Sequence, residues 1–286
     1  QMPQLKNAII NFDDAFGREL AMKLLAIDGP QVWGYAFSSD AFAGFEKFGD
    51  RLKRTYTENT LFTTAGYESQ FKCDASGVGT VQLAVLGEFN LSNCLAVWAV
   101  LLAQGLSPSE ASKRMNKLSA VPGRMELIRL NKTQRTDGPL IVVDYAHTPD
   151  ALTKALNALR PIANQRNGKV WCVFGCGGDR DSSKRPQMGR AAQEFADHIV
   201  ITSDNPRSED PSSIIAMIQA GMSGDLSNVQ ALPDRAAAIM AAVRHADIQD
   251  IVLVAGKGHE STQEINGKKF DFSDQEHIRL AAGGSV

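Results

Sequence analysis

His198-Ile199-Val200-Ile201 runs through Thr202-Ser203 into Asp204-Asn205-Pro206-Arg207, and Asp210-Pro211 follows three residues later. Ile199 to Ile201 has the composition of a short buried strand. Asp210 is placed to cap a helix whose first residue is Pro211, since proline lacks the N–H that this position leaves unused. Pro206 stiffens the connecting loop and drives Asn205 toward extended backbone. Arg207 is thereby held beside an amide and a carboxylate. Arginine grips a carboxylate at two points, while Asp and Asn accept from an ammonium, so the cluster suits a zwitterionic amino acid. An Asp-Asn-Pro turn nevertheless requires no ligand to form, and the loop has to be weighed with its neighbours.

Outward from this stretch the second part of the chain alternates strands and helices. Apolar strands are expected at Leu140–Val143, Val170–Phe174, His198–Ile201, Asn228–Ala231 and Ile251–Val254. Helices are expected from Pro149, near Met188, from Pro211 and after a cap at Asp234. That order predicts an α/β, mostly parallel, doubly wound sheet. Asn266-Gly267 signals a tight hairpin, and Ser273-Asp274-Gln275-Glu276 caps a final helix. Three polar loops follow strand ends: Asp144-Tyr145-Ala146-His147, Gly175-Cys176-Gly177-Gly178-Asp179-Arg180-Asp181, and Gly256-Lys257-Gly258-His259-Glu260. Open α/β sheets build their sites at strand carboxyl ends.

The first part reads differently. Val121-Pro122-Gly123-Arg124 breaks the helical pattern and divides the chain into 1–122 and 123–286. Before it, strands are expected at Ala8–Asn11, Val32–Phe37, Thr60–Thr64, Gln70–Cys73 and Thr80–Val85. Phe71-x-Cys73 and Val81-x-Leu83-x-Val85 alternate as in a sheet with one covered face. Asp14 to Ala26 reads as a helix with Leu20, Leu24 and Leu25 on one side. A long helix is expected after Asn90, through Leu95, Val97, Leu101 and Leu102, with Asn90 able to cap it. Ser107-Pro108-Ser109-Glu110 is a capping box that starts another, ending near Leu118. Asp13-Asp14 resembles a magnesium pair but is read as a helix cap.

Bulk properties exclude several classes. The 286 residues are 43% hydrophobic and 22% charged, a globular composition. A net charge of −2 gives no footprint for nucleic acid. The longest apolar run, Cys94 to Ala103, is about half a membrane span, so no membrane insertion is expected. Cysteines 73, 94, 172 and 176 lack zinc spacing and read as free thiols of a reducing cytoplasm.

The loops named above, together with Gly87-Glu88-Phe89-Asn90-Leu91-Ser92-Asn93, resemble the Mur ligases over nearly the whole chain, from Asn7 to about Leu280. Asp204-Asn205-Pro206-Arg207 resembles the branch that adds meso-diaminopimelate. The resemblance implies an incomplete central ATPase-domain segment at 1–122, followed by a Rossmann-like C-terminal domain at 123–286. It implies ATP and Mg2+ as cofactors, and meso-diaminopimelate and a UDP-MurNAc dipeptide as small-molecule partners. The implied reaction is amide formation through an acyl phosphate in peptidoglycan precursor synthesis. By the same resemblance, Arg180, Asp204, Asn205, Pro206, Arg207, Gly256 and Glu260 form the diaminopimelate pocket. Asn90, Asn93, Arg124, Asp144, Tyr145 and His147 contact ATP. The extra carboxylate of diaminopimelate over lysine calls for a cation, which Arg207 or Arg180 supplies, and Glu260 serves the distal ammonium.

No Gly-x-x-x-x-Gly-Lys-Ser/Thr phosphate loop occurs in the sequence. In the family that loop, a carbamylated lysine and the uridine-nucleotide domain lie upstream of the segment matching Asn7. The chain is therefore expected to be a C-terminal fragment, monomeric, carrying no catalytic residue or metal ligand of its own and inactive alone. Two alternatives stay open: a non-catalytic module binding an amino acid or a partner, and a related ligase such as a lysine-adding Mur ligase or a folylpolyglutamate synthase. The role of Lys257 is open, and Lys184-Arg185 reads as a solvated turn.

Overall fold

The computed structural model describes residues 5–63, 66–128 and 138–283. It comprises two compact units that meet in sequence at Ser119 and Ala120. Each is built around its own sheet.

The first unit holds strands β1 (Asn7–Asn11), β2 (Gln31–Ala36), β3 (Leu52–Thr63), β4 (Gly66–Cys73) and β5 (Gly77–Leu83), paired in that order. β1, β2 and β3 run parallel, and β4 and β5 add antiparallel. Helices α1 (Ala15–Leu25), α2 (Glu88–Ala103) and α3 (Pro108–Met115) complete it. The alternation read in Phe71, Cys73, Val81 and Leu83 is real: all four are buried in one cluster with Leu95 and Trp98. Trp98 packs edge-on against Phe71 and donates its indole N–H to Ser112. The capping box at Ser107 and Glu110 forms with both reciprocal bonds.

Several expectations are corrected. β3 begins at Leu52, well before Thr60, because parallel pairing with β2 extends it across Lys53 and Arg54, which break the apolar alternation; Thr64 lies outside the described residues. Asn90 is not a cap. α2 starts at Glu88 after Gly87, and the Asn90 amide instead donates to the Leu86 carbonyl at 2.9 Å. Leu20 and Val97 are exposed rather than inward. Asp14 does cap α1, accepting from the Gly17 N–H.

The second unit contains β6 (Glu126–Leu127), β7 (Leu140–Asp144), α4 (Pro149–Gln165), β8 (Val170–Phe174), α5 (Lys184–Phe195) and β9 (His198–Ile201). It continues with α6 (Pro211–Gln219), β10 (Val229–Ala231), α7 (Arg235–His245), β11 (Ile251–Ala255), the hairpin β12 (Thr262–Ile265) and β13 (Lys268–Asp271), and α8 (Asp274–Ala281). The sheet order is β10-β9-β8-β11-β7-β6, parallel except for the two-residue edge strand β6, which no apolar run announces. From β8 the chain steps outward to β9 and β10, then returns to insert β11 between β8 and β7. Such a reversal of strand order opens a crevice at the carboxyl ends. Val143, Val173, Val200, Val252 and Val254 face α7 and α8 and share one core with Ile239 and Ile278. Their sequence neighbours, such as Val142, Cys172 and Leu253, are also buried, as a sheet covered on both faces requires. Thr148, Asp210, Asp234 and Ser273 each cap a helix through the side chain.

Candidate functional site

Four loops leave the carboxyl ends of β7, β8, β9 and β11 and enclose a cavity of about 390 Å³. Its lining includes Tyr145, His147, Cys176, Arg180, Asp204, Asn205, Arg207, Gly256 and Glu260. Residues far apart in sequence thus converge as the sheet order demands.

The β8 and β9 loops are tied together first by backbone. The Gly178 N–H donates to the Asn205 carbonyl at 2.9 Å, and a Cβ at Gly178 would sit 1.9 Å from the Pro206 carbonyl oxygen. Only glycine permits that approach. Arg207 stands in left-handed backbone, with φ of 53°, at a cost of roughly 1–2 kcal/mol for a residue with a side chain. Its neighbours impose it. The Arg207 N–H donates to the Glu264 carbonyl at 3.0 Å, the Asn266 N–H donates back to the Arg207 carbonyl at 2.6 Å, and Nη1 donates to the Gly178 carbonyl at 2.7 Å. The Glu264 carboxylate lies 3.7 Å from Nε. The guanidinium is pre-oriented by the hairpin and the β8 loop, which no reading of residues 204–207 alone provides.

Arg185 corrects the sequence reading directly. It lies in the first turn of α5, is only 1% exposed, and forms a forked pair with Glu209 at 2.7 Å on each arm. Glu209 also accepts from the Asp179 N–H at 2.6 Å. Hydrogen bonding from Arg185 and that amide holds the Glu209 carboxyl down at about 2, against an ordinary 4.5. A depressed carboxylate stabilises the fold in full above its unfolded value and loses that contribution as pH falls through its folded one. The stability gap between the native chain and Glu209→Gln is therefore expected to be widest above pH 5 and to close toward pH 2. Urea midpoints across that range test this; a gap independent of pH would sink it.

Lys257, whose role the sequence left open, is fully buried beneath the cavity. Its Nζ donates to Glu260 Oε2 at 3.0 Å and Asn205 Oδ1 at 3.1 Å, and lies 3.7 Å from Asp204 Oδ1. Asn205 in turn donates to Glu260 at 3.0 Å. The two carboxylates differ. Burial pushes Asp204 above the ordinary range, opposed by Arg235 and Lys257. Burial acts on Glu260 too, but hydrogen bonds from Asn205 and Lys257 outweigh it and hold Glu260 low.

Tyr145 packs under the Arg124 guanidinium, 4.9 Å from ring centre to Cζ, with His147 edge-on at 4.8 Å. Asp144 is buried, which raises its carboxyl; both its oxygens already accept backbone N–H groups, from Met125 and Ala146. Arg180 and His147 are exposed at the rim. Of the residues singled out in sequence, the second unit gathers Arg180, Asp204, Asn205, Arg207, Gly256, Glu260, Tyr145 and His147 around one cavity. Pro206 is buried behind the loop, and Arg124 and Asp144 adjoin Tyr145. Asn90 and Asn93 belong to the first unit, on α2, with Asn93 exposed. Arg185, Glu209 and Cys176 were missed. The first two carry no local signal, because their pairing spans 24 residues.

Residues 123–258 match the domain described as Mur ligase, glutamate ligase domain. A UDP-N-acetylmuramoyl-L-alanyl-D-glutamate–2,6-diaminopimelate ligase of Ralstonia nicotianae is 50% identical over 98% of the chain and 52% of its own length. The like-named protein of a Janthinobacterium species is 43% identical over 99% of the chain and 53% of its own length. A solved structure of a ligase of the same name superimposes with a TM-score of 0.70 at 35% identity, covering 99% of the chain and 54% of its own. The chain thus spans about half the length of the curated relatives it matches. Since the matched domain takes in all four loops as far as Gly258, residues 123–258 belong to the Mur ligase, glutamate ligase domain family, and the relatives are similar to the sequence on both sides of it.

Proposed function

We propose that this chain is the amino-acid-recognising portion of an ATP-dependent ligase that joins meso-diaminopimelate to UDP-MurNAc-L-Ala-D-Glu in peptidoglycan precursor synthesis. In this reading the first unit is the later part of the central ATP-binding domain and the second is the Mur ligase C-terminal domain. The observation that carries the proposal is the charge layout of one cavity. Arg180 and Arg207 line the cavity together with the Asp204 and Glu260 carboxylates, which stand over buried Lys257, and Asn205 ties Glu260 to Lys257. An amino acid with two carboxylates and two ammonium groups finds a counter-group for each kind of charge. Lysine leaves one cation without its carboxylate, a difference that a site built around fixed polar groups punishes strongly.

The chain's own residues bind and orient. Arg207, locked by Gly178 and the hairpin, presents donors without further ordering, so little freedom is lost on binding. ATP supplies the phosphoryl group that activates the acceptor carboxylate. Each unit is assigned its own contacts to it: Asn90 and Asn93 in the first, and Arg124, Asp144, Tyr145 and His147 in the second. Arg124 over the Tyr145 ring fits a phosphate-bearing ligand, because stacking through one face leaves the in-plane N–H donors of an exposed side chain directed at an anion. Asp144 acts through the two amides it fixes beside Arg124. Mg2+ would enter with the phosphates; among the described residues no cluster of three or more His, Cys, Asp or Glu is arranged for a metal, and none is assigned to the ion. Among them, too, no helix is long and apolar enough to cross a membrane.

Isothermal titration of the chain with meso-diaminopimelate, L-lysine and ATP, each alone, tests the reading. Diaminopimelate is expected to bind at least about tenfold more tightly than lysine, the worth of one charge-assisted contact. Equal affinities, or no heat with diaminopimelate, would overturn it.

A further inference from the structure

Lys257 stands apart from the residues that line the cavity. Its side chain has no solvent exposure, and its ammonium sits among three acceptors contributed by two loops: Asp204 Oδ1, Asn205 Oδ1 and Glu260 Oε2. Asp204 Oδ1 is buried and has no hydrogen-bond partner among the described residues; the Lys257 ammonium stands 3.7 Å from it and joins Arg235 in opposing the cost of burying that carboxylate. A buried carboxylate in that state is costly unless a charge stands close by.

The surrounding charges can be counted. Arg235, from α7, is fully buried and paired with Asp274 of α8 at 2.7 Å, so the pair adds no net charge, although Arg235 acts on Asp204 more strongly than Asp274 does. Arg185 and Glu209 cancel likewise. From the β7 loop, the Tyr145 hydroxyl faces Glu260 at 3.5 Å; from the β8 loop, the Cys176 thiol faces Asp204 and is pushed up to about 12 by burial and that neighbour, hence neutral. Glu264 of the hairpin faces Arg207 instead. Asp204, Glu260 and Lys257 remain, and their sum is a single negative charge. Without Lys257 it would be two, with Asp204 nearly buried and only Glu260 reaching solvent.

We infer that Lys257 is a positioning residue that sets the ligand charge this end of the cavity accepts: it holds Asn205 and Glu260 in place and reduces the acidic pair to one net negative charge, matched to one ammonium group. The inference rests on the amino-acid reading of the cavity given above. It assigns Lys257 no contact with the ligand. Removing the charge leaves two carboxylates competing for one proton, and a ligand ammonium then has to expel that proton to bind.

The test uses the 286-residue chain and meso-diaminopimelate as the probe, titrated calorimetrically between about pH 6 and 8 in phosphate and in Tris, whose ionisation heats differ. The unaltered chain is expected to bind with an affinity nearly flat in pH and with no buffer-dependent heat. Lys257→Met and Lys257→Gln are both expected to release up to about one proton per ligand and to gain about tenfold in affinity per pH unit until the shared proton is lost. Glutamine retains an amide donor for Asn205 and Glu260. If Lys257→Gln matches the unaltered chain, Lys257 acts only as a donor and the inference is overturned. Flat affinity and no proton release in both variants overturn it as well, as does loss of fold in both by circular dichroism, since Lys257 would then be a packing element. An unaltered chain that ignores diaminopimelate removes the amino-acid reading itself and the inference with it. Binding by the unaltered chain with unresponsive variants removes the role of Lys257 alone.

Discussion

Arg235→Ala is expected to destabilise the second unit by about 3–5 kcal/mol, because it strands the Asp274 carboxylate in a site with no solvent exposure. Arg235 donates Nε and Nη2 to the two oxygens of Asp274 at 2.8 and 2.7 Å, and Nη2 also reaches the Ala255 carbonyl at 3.0 Å. Nη1 reaches the Ser203 carbonyl at 3.3 Å. One side chain therefore joins α7, α8 and the exits of β9 and β11, immediately before Asp204 and Gly256. Hydrogen exchange of the β11 amides reads the loss in this unit without interference from the other. A buried pair often adds little over apolar residues of similar size, while a broken pair is expensive. Arg235→Met combined with Asp274→Leu is accordingly expected to recover most of the stability lost by Arg235→Ala. A single substitution costing less than about 1 kcal/mol would contradict the burial of this pair.

Arg207→Ala addresses selectivity instead. Under the proposed function it is expected to weaken meso-diaminopimelate by about tenfold to a hundredfold, the worth of a hydrogen-bonded charge pair. Affinity for lysine, which lacks the carboxylate that Arg207 would meet, should change by less than about threefold. Arg207→Lys should fall between, since an ammonium gives a point charge without the fork. Both affinities come from the same calorimetric titration. The comparison carries the argument, because Arg207 also ties the loop through Gly178 and Glu264. Equal losses for both ligands would mean that the substitution only loosened the loop and that discrimination resides elsewhere, with Arg180 the next residue to change.

Much of the second unit was legible because its determinants are local. The four apolar runs Leu140–Val143, Val170–Phe174, His198–Ile201 and Ile251–Val254 are buried almost throughout, and each leads to a capped helix or a glycine loop, whereas the expected strand at 228–231 forms an edge strand that is mostly exposed. Val170–Phe174 and His198–Ile201 fall where the sequence places them. Thr148, Asp210, Asp234 and Ser273 cap through atoms within three residues of their partners, so pattern and structure coincide. In the first unit, β3 shows the opposite case. Its start at Leu52 depends on pairing with β2, a neighbour about 20 residues away, and its own residues do not alternate cleanly.

Sequence by itself determined the strand and helix order of residues 140–281, the loops that follow the strands, and which polar residues those loops carry. These follow from hydrophobic period, caps and glycines, all written within a few residues. Tertiary structure alone decided that Arg185 is a buried anchor and not a turn residue, that Arg207 takes left-handed backbone, and that Lys257 lies beneath Asn205 and Glu260. Each of those outcomes depends on partners tens of residues away, brought near by the insertion of β11 between β7 and β8. Whether a charge ends in water or in a dry cluster is set by such partners, because burial is tolerated only where opposite charges and hydrogen bonds converge from several elements at once.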